Sequence, residues 1–87
     1  MVHTTRRGTG VIGTVEAPVE AVSFEASVEH AANAILSFIG KIRTVSGASL
    51  EDYVGLPMVL QIDNGPALGV VIVHIEGEDA VINLSPR

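Results

Sequence analysis

The sequence predicts an α+β domain: one long amphipathic helix packed on a small antiparallel sheet, which combines a short N-terminal strand with a three-stranded C-terminal meander. Three observations predict it. Residues 24–45, FEASVEHAANAILSFIGKIRTV, carry apolar side chains at Phe24, Val28, Ala31, Ile35, Phe38, Ile42 and Val45, alternately four and three apart, the spacing that lines one face of a helix. Residues 56–84 then change period and read as three apolar strands. Between those strands lie Asn64-Gly65 and the acidic turn Glu76-Gly77-Glu78-Asp79, both hairpin signals.

In chain order, residues 1–9 are rich in Thr, Arg and Gly and are expected to form a disordered arm, leaving 10–87 as a single small domain. VIGTVE, residues 11–16, has the β-branched content of a short strand, which Pro18 stops. For the helix, Ser23 suits the N-cap, Glu25 and Glu29 the positive end of the dipole, Lys41 and Arg43 the negative end, and Gly47 an αL C-cap. Gly40 runs against it, costing about 1 kcal/mol relative to Ala in a helix interior. Ala32, Leu36 and Ile39 widen the apolar stripe beyond a coiled-coil seam. SGASLEDY, residues 46–53, reads as a connector with a turn of helix after Ser49.

Register follows from the turns. With Asn64-Gly65 as a two-residue loop, Leu60 faces Gly69 and Met58 faces Val71; with Gly77-Glu78 as the second loop, Ile75 faces Ala80 and Val73 faces Ile82. The face that includes Met58, Leu60, Val71, Val73, Ala80 and Ile82 is the one the helix is expected to cover. The opposite face carries Val59, Leu68, Val70, Ile72, His74 and Val81, apolar in its middle where a solvated face should be polar. One helix covers one sheet face, so these six residues form the candidate interaction surface. The alternative is that the 11–16 strand and the 46–56 connector fold over them.

At 87 residues the chain buries only about 60% of the surface its unfolded form exposes, so its core is small or shared. Hydrophobic residues make up 47% of it but aromatics only 3%, so that core is aliphatic. The absence of Cys excludes disulfides and thiolate metal sites. A net charge of −5 repels a phosphate backbone, and no nucleic-acid partner is expected. The apolar runs are too interrupted for a signal peptide or membrane span, which makes a cytoplasmic location the expectation.

Residues that carry chemistry are sparse. His3 falls in the arm and His30 reads as a solvated helix residue; His74, beside Val81, is the polar end of the second face or a pH-sensitive group at an interface. Glu76, Glu78 and Asp79 match no calcium-loop spacing. GTGVIG, residues 8–13, lacks the strand, helix and Lys that make a glycine-rich loop a phosphate site. No hydroxyl sits in a nucleophile elbow, and no carboxylate pair stands beside a base. The expectation is a non-enzymatic protein with no catalytic residues, cofactor or metal.

Residues 22–43, VSFEASVEHAANAILSFIGKIR, with GVVIV at 69–73 and GEDAVINL at 77–84, resemble the trypsin-co-occurring domains of bacterial conflict systems, in which a Phe-Glu-led helix precedes apolar strands. The resemblance implies a non-catalytic accessory partner of a peptidase or NTPase effector, with no site residues to carry over. The chain departs from it at LEDYVG and LSPR, where that family favours an alternating Val and Glu strand and a C-terminal Trp. A second resemblance, to Sm-like RNA-binding proteins, rests on a helix followed by strands with Asn64-Gly65 and then Leu68 and Gly69; here those two are adjacent and the acidic charge opposes RNA. The function expected is therefore an accessory or protein-interaction module whose partner is another protein or a second copy, the alternative being a self-assembling structural subunit of a phage or particle.

Overall fold

From Val22 to Val28 the side chains alternate strictly: Val22, Phe24, Ala26 and Val28 are buried, whereas Ser23, Glu25 and Ser27 are exposed. That is the period of a strand, and the expected helix is absent. The structure, a computed structural model, describes residues 2–32 and 34–85. It contains six strands, β1 (Val2–Gly13), β2 (Pro18–Ala31), β3 (Ala34–Thr44), β4 (Pro57–Ile62), β5 (Ala67–Glu76) and β6 (Asp79–Leu84), with one 3-10 turn at Glu51–Tyr53. These strands pair antiparallel, Val54 adding an isolated parallel bridge to Ile72, and the order β1-β2-β3-β6-β5-β4 closes into a barrel. The fold is all-β, not α+β. Among the described residues no helix is long and apolar enough to cross a membrane.

The helical spacing of residues 24–45 has a geometric explanation. A step of four is even, so it keeps a side chain on the same face of a strand as well as of a helix; only steps of three distinguish the two. Here each step of three falls where strand parity is broken. Val28 to Ala31 runs into the tip of the β2–β3 hairpin, where Ala31 pairs with Ala34 and Ala32 takes φ 52°. Ile35 to Phe38 crosses a bulge, since His30 faces Ile35 while Glu29 faces Ser37, leaving Leu36 unopposed. Ile42 to Val45 leaves the strand altogether, and Val45 is 73% exposed. The groups expected to cap a helix pair across strands instead: Glu25 with Arg7 at 3.0 Å, Lys41 with Glu76 at 3.4 Å and Arg43 with Asp79 at 2.9 Å.

Residues 2–9, expected to form an arm, are the longer part of β1 and pair with β2 from Val2↔His30 to Thr9↔Ser23; Met1 lies outside the described residues. The expected 11–16 strand ends at Gly13, where the Thr14 hydroxyl accepts the amides of Glu16 and Ala17, both at 3.3 Å, and turns the chain into β2. The connector holds its turn of helix where Ser49 predicts it, with the Glu51 amide donating to Ser49 Oγ at 3.2 Å.

The C-terminal meander forms, with a corrected register. Ile62 donates its amide to the Pro66 carbonyl at 3.1 Å, so the first loop has three residues, and Asn64 takes φ 58° within it. Leu60 consequently faces Leu68 and Met58 faces Val70, one position from expectation. The second loop is as expected, with Ile75 opposite Ala80, but a bulge at Val73 then shifts β5 so that Ile72 faces Ile82. Both shifts displace β5 by one residue in the same direction. Strands β4 and β6 keep their expected faces, and β5 between them is inverted over Leu68, Val70 and Ile72.

The barrel interior is a single aliphatic core with Phe24 and Phe38, whose ring centroids lie 6.0 Å apart. Leu50, from the connector, is 4% exposed and joins that core. Two glycines allow the strands to approach: a Cβ at Gly10 would strike the Gln61 carbonyl oxygen, and one at Gly40 would lie 2.6 Å from Ala26 Cα.

Candidate interaction surface

Strand lengths set the shape of the surface. β1 pairs with β4 only from Gly10 to Gly13, and β3 with β6 only from Ile39 to Ile42. Beyond those seams β1, β2 and β3 continue as a three-stranded wing comprising residues 2–9, 24–31 and 34–38. Among the described residues, no strand pairs with the outer edge of either 2–8 or 34–38. Each such edge presents a row of backbone donors and acceptors.

The two edges differ in chemistry. The β1 edge includes Arg6 and Arg7, charges that discourage pairing with a second copy of the same edge; residues 34–39, AILSFI, carry neither a charge nor a proline. Leu36 and Ile39 are 49% and 52% exposed there. The bulge at Leu36 is the one feature of this edge that disturbs pairing.

The six residues expected to share a face are divided. Val70 and Ile72 are fully buried, and Leu68 packs against the core from a half-buried position. Val59, His74 and Val81 point outward; His74 and Val81 are direct cross-strand partners, as their proximity in the expected register requires. His74 is exposed, its Nε2 3.5 Å from Glu76 Oε2. The apolar surplus that suggested a second face is therefore largely the core of the barrel. The 34–39 edge was legible in principle as an uncharged apolar run, but a helical reading conceals edges altogether.

The outer groove over β2 and β3, about 670 Å³, is lined by Ser23, Glu25, Ser27, Ile39, Lys41 and Arg43. Its charges are matched internally, Glu25 by Arg7, Lys41 by Glu76 and Arg43 by Asp79 and Glu78. The Asp79 hydrogen bond and charge hold the Arg43 guanidinium above its usual pKa. Those pairs engage the acids of the second hairpin turn, and among the described residues no cluster of three His, Asp or Glu side chains is placed to hold a metal. No buried side-chain nitrogen or oxygen lacks a partner among the described residues; Thr44, the buried polar residue, donates its hydroxyl to the Ala48 carbonyl at 2.8 Å.

The chain matches no family model, no curated protein and no solved structure.

Proposed function

We propose that this protein is a non-enzymatic interaction module that associates by strand addition at the β3 edge of the wing, and that the strand it receives there is the same edge of a second copy. The observation that carries this reading is the uncharged, unpaired stretch Ala34–Phe38, with Leu36 exposed within it and Ile39 exposed beside it. Antiparallel pairing of one edge with itself about a two-fold axis brings the same short stretch of both copies together, so it is favoured where that edge has no charge to repel its own copy. The β3 edge meets that condition. Self-pairing of the β1 edge would instead gather Arg6 and Arg7 from both copies.

The resemblance to trypsin-co-occurring domains names a peptidase or NTPase effector as partner, but it rests on a helix led by Phe24, and that segment is β2. The proposal accordingly specifies an edge and a symmetry. Sedimentation equilibrium tests it: the wild-type chain dimerises at tens of micromolar, and Leu36→Lys, which puts a charge on the edge without entering the core, shifts it to monomer with little change in Tm. A wild-type chain that remains monomeric into the millimolar range, or a Leu36→Lys variant that dimerises equally well, refutes the reading.

A further inference from the structure

The inner side of the wing holds a second feature, and it goes beyond association at β3. A cleft of about 240 Å³ opens between the wing and the β4–β5 turn, its apolar wall and floor formed by Val28, Ile35, Phe38, Ile62 and Pro66. Two basic side chains line it, Arg6 and His30, and no acid does among the described residues. Neither makes an ion pair or a side-chain hydrogen bond among the described residues, although the chain has twice as many acids as bases and its other basic side chains on the sheet, Arg7, Lys41 and Arg43, are all paired. Asp63, the acid of the adjoining turn, accepts the Thr9 hydroxyl at 2.7 Å instead.

We propose that this cleft binds the C-terminal end of a partner polypeptide, taking an aliphatic last side chain against Phe38 and Ile35 and the terminal carboxylate at Arg6. Charge complementarity identifies the anionic end: an unpaired guanidinium beside an apolar wall is matched by a carboxylate attached to an aliphatic group. Size and position point to a chain terminus as the source. The volume falls below the roughly 300 Å³ at which small-molecule sites begin, and suits a single anchoring side chain. The cleft also lies beside residues 2–8 of β1, whose free backbone edge is able to hydrogen-bond an extended segment leading into it. Arg6 belongs to both features, since it stands on the edge strand and shares the inward face of its cross-strand partner Ala26.

The test compares one N-acetylated hexapeptide ending in leucine, as free acid and as C-terminal amide, with the full chain labelled for amide and methyl NMR. The free acid is expected to shift Val28, Ile35 and Phe38 saturably, with the amide binding about tenfold more weakly, as loss of a charge-assisted hydrogen bond requires. Arg6→Gln is expected to weaken the free acid to the level of the amide and to leave the amide unchanged; Arg6 has no ion-pair or side-chain hydrogen-bond partner to lose among the described residues, so the rest of the spectrum persists. Equal binding of acid and amide, an unchanged Arg6→Gln variant, or shifts confined to other residues overturns the proposal. Sodium hexanoate is the remaining arm: binding as tight as the peptide assigns the cleft to a free carboxylate and overturns it too. The monomeric Leu36→Lys variant is expected to bind the peptide like the wild type, which separates this outcome from the fate of the dimer.

Discussion

Substituting Ile72 and Val73 in turn tests the register of β5, on which the whole core depends. Ile72 is fully buried and Val73, at the bulge, is 46% exposed. The register expected from turn signals alone reverses them, with Val73 inside and Ile72 outside. Ile72→Ala removes three carbons from the interior at about 0.8 kcal/mol each, and the residual cavity raises the loss to about 3 kcal/mol. Val73→Ala removes two carbons that already meet water and is expected to cost about 0.5 kcal/mol or less. A domain of this size loses roughly 4–8 °C in Tm per kcal/mol, so the first variant should melt roughly 15 °C lower and the second within a few degrees of wild type. Thermal and urea unfolding followed by circular dichroism measure both. Should Ile72→Ala leave the chain too unstable for a clean baseline, Ile72→Val supplies the same comparison at about 1 kcal/mol. A Val73→Ala variant that loses as much stability as Ile72→Ala refutes the bulge and with it the inward placement of Leu68, Val70 and Ile72.

Gly40→Ala should be destabilised by about 2 kcal/mol or more, because its Cβ would lie 2.6 Å from both Ala26 Cα and Ala26 Cβ. Gly69→Ala, whose Cβ would meet nothing nearer than Ser85 Cβ at 3.8 Å, should be neutral or up to about 0.5 kcal/mol stabilising, and urea titration of the pair shows whether close approach is confined to Gly40. Replacing residues 29–37 by Asn-Gly joins Val28 to Phe38, which already face each other, through a two-residue turn. That variant is expected to keep the amide dispersion of the barrel while losing both self-association and peptide binding; collapse of the dispersed spectrum would show that the wing is part of the core.

What the sequence revealed and what it concealed divide by the kind of signal. Strands β4, β5 and β6 were legible because Asn64-Gly65 and the 76–79 turn punctuate them locally, and the connector turn was legible because Ser49 bonds within two residues of itself. Register was not, because it depends on a three-residue loop and a bulge that turn dipeptides do not encode. Both displacements move β5 alone by the same one residue, so β4 and β6 keep their relation to each other and the agreement between the hairpins carried no information on β5. The β2–β3 hairpin was concealed by its tip, where Ala31, Ala32 and Ala34 are helix formers. Gly40 was the residue that fitted neither helix nor ordinary strand, and the structure uses it where β3 passes over Ala26. The candidate face failed with the register that defined it, leaving His74 and Val81 as the pair that structure and sequence place together.

The wing and the closed barrel have one cause. β1, β2 and β3 have 12, 14 and 11 residues, whereas β4 and β6 have six each, so a sheet that closes on itself through β4 and β6 leaves the longer strands unpaired at one end. Each closing seam spans only four residue pairs. Extending β4 and β6 to match would cover the two edges, and the cleft along with them. The short strands are thus compatible with stability because the interior they enclose is already filled by Leu60, Ile72 and Ile82, each with no exposed surface. Beyond the seams the longer strands add Val28 and Phe38 to that core, while among the described residues the outer edges of 2–8 and 34–38 stay unpaired. Those unpaired edges are what the proposed association would use.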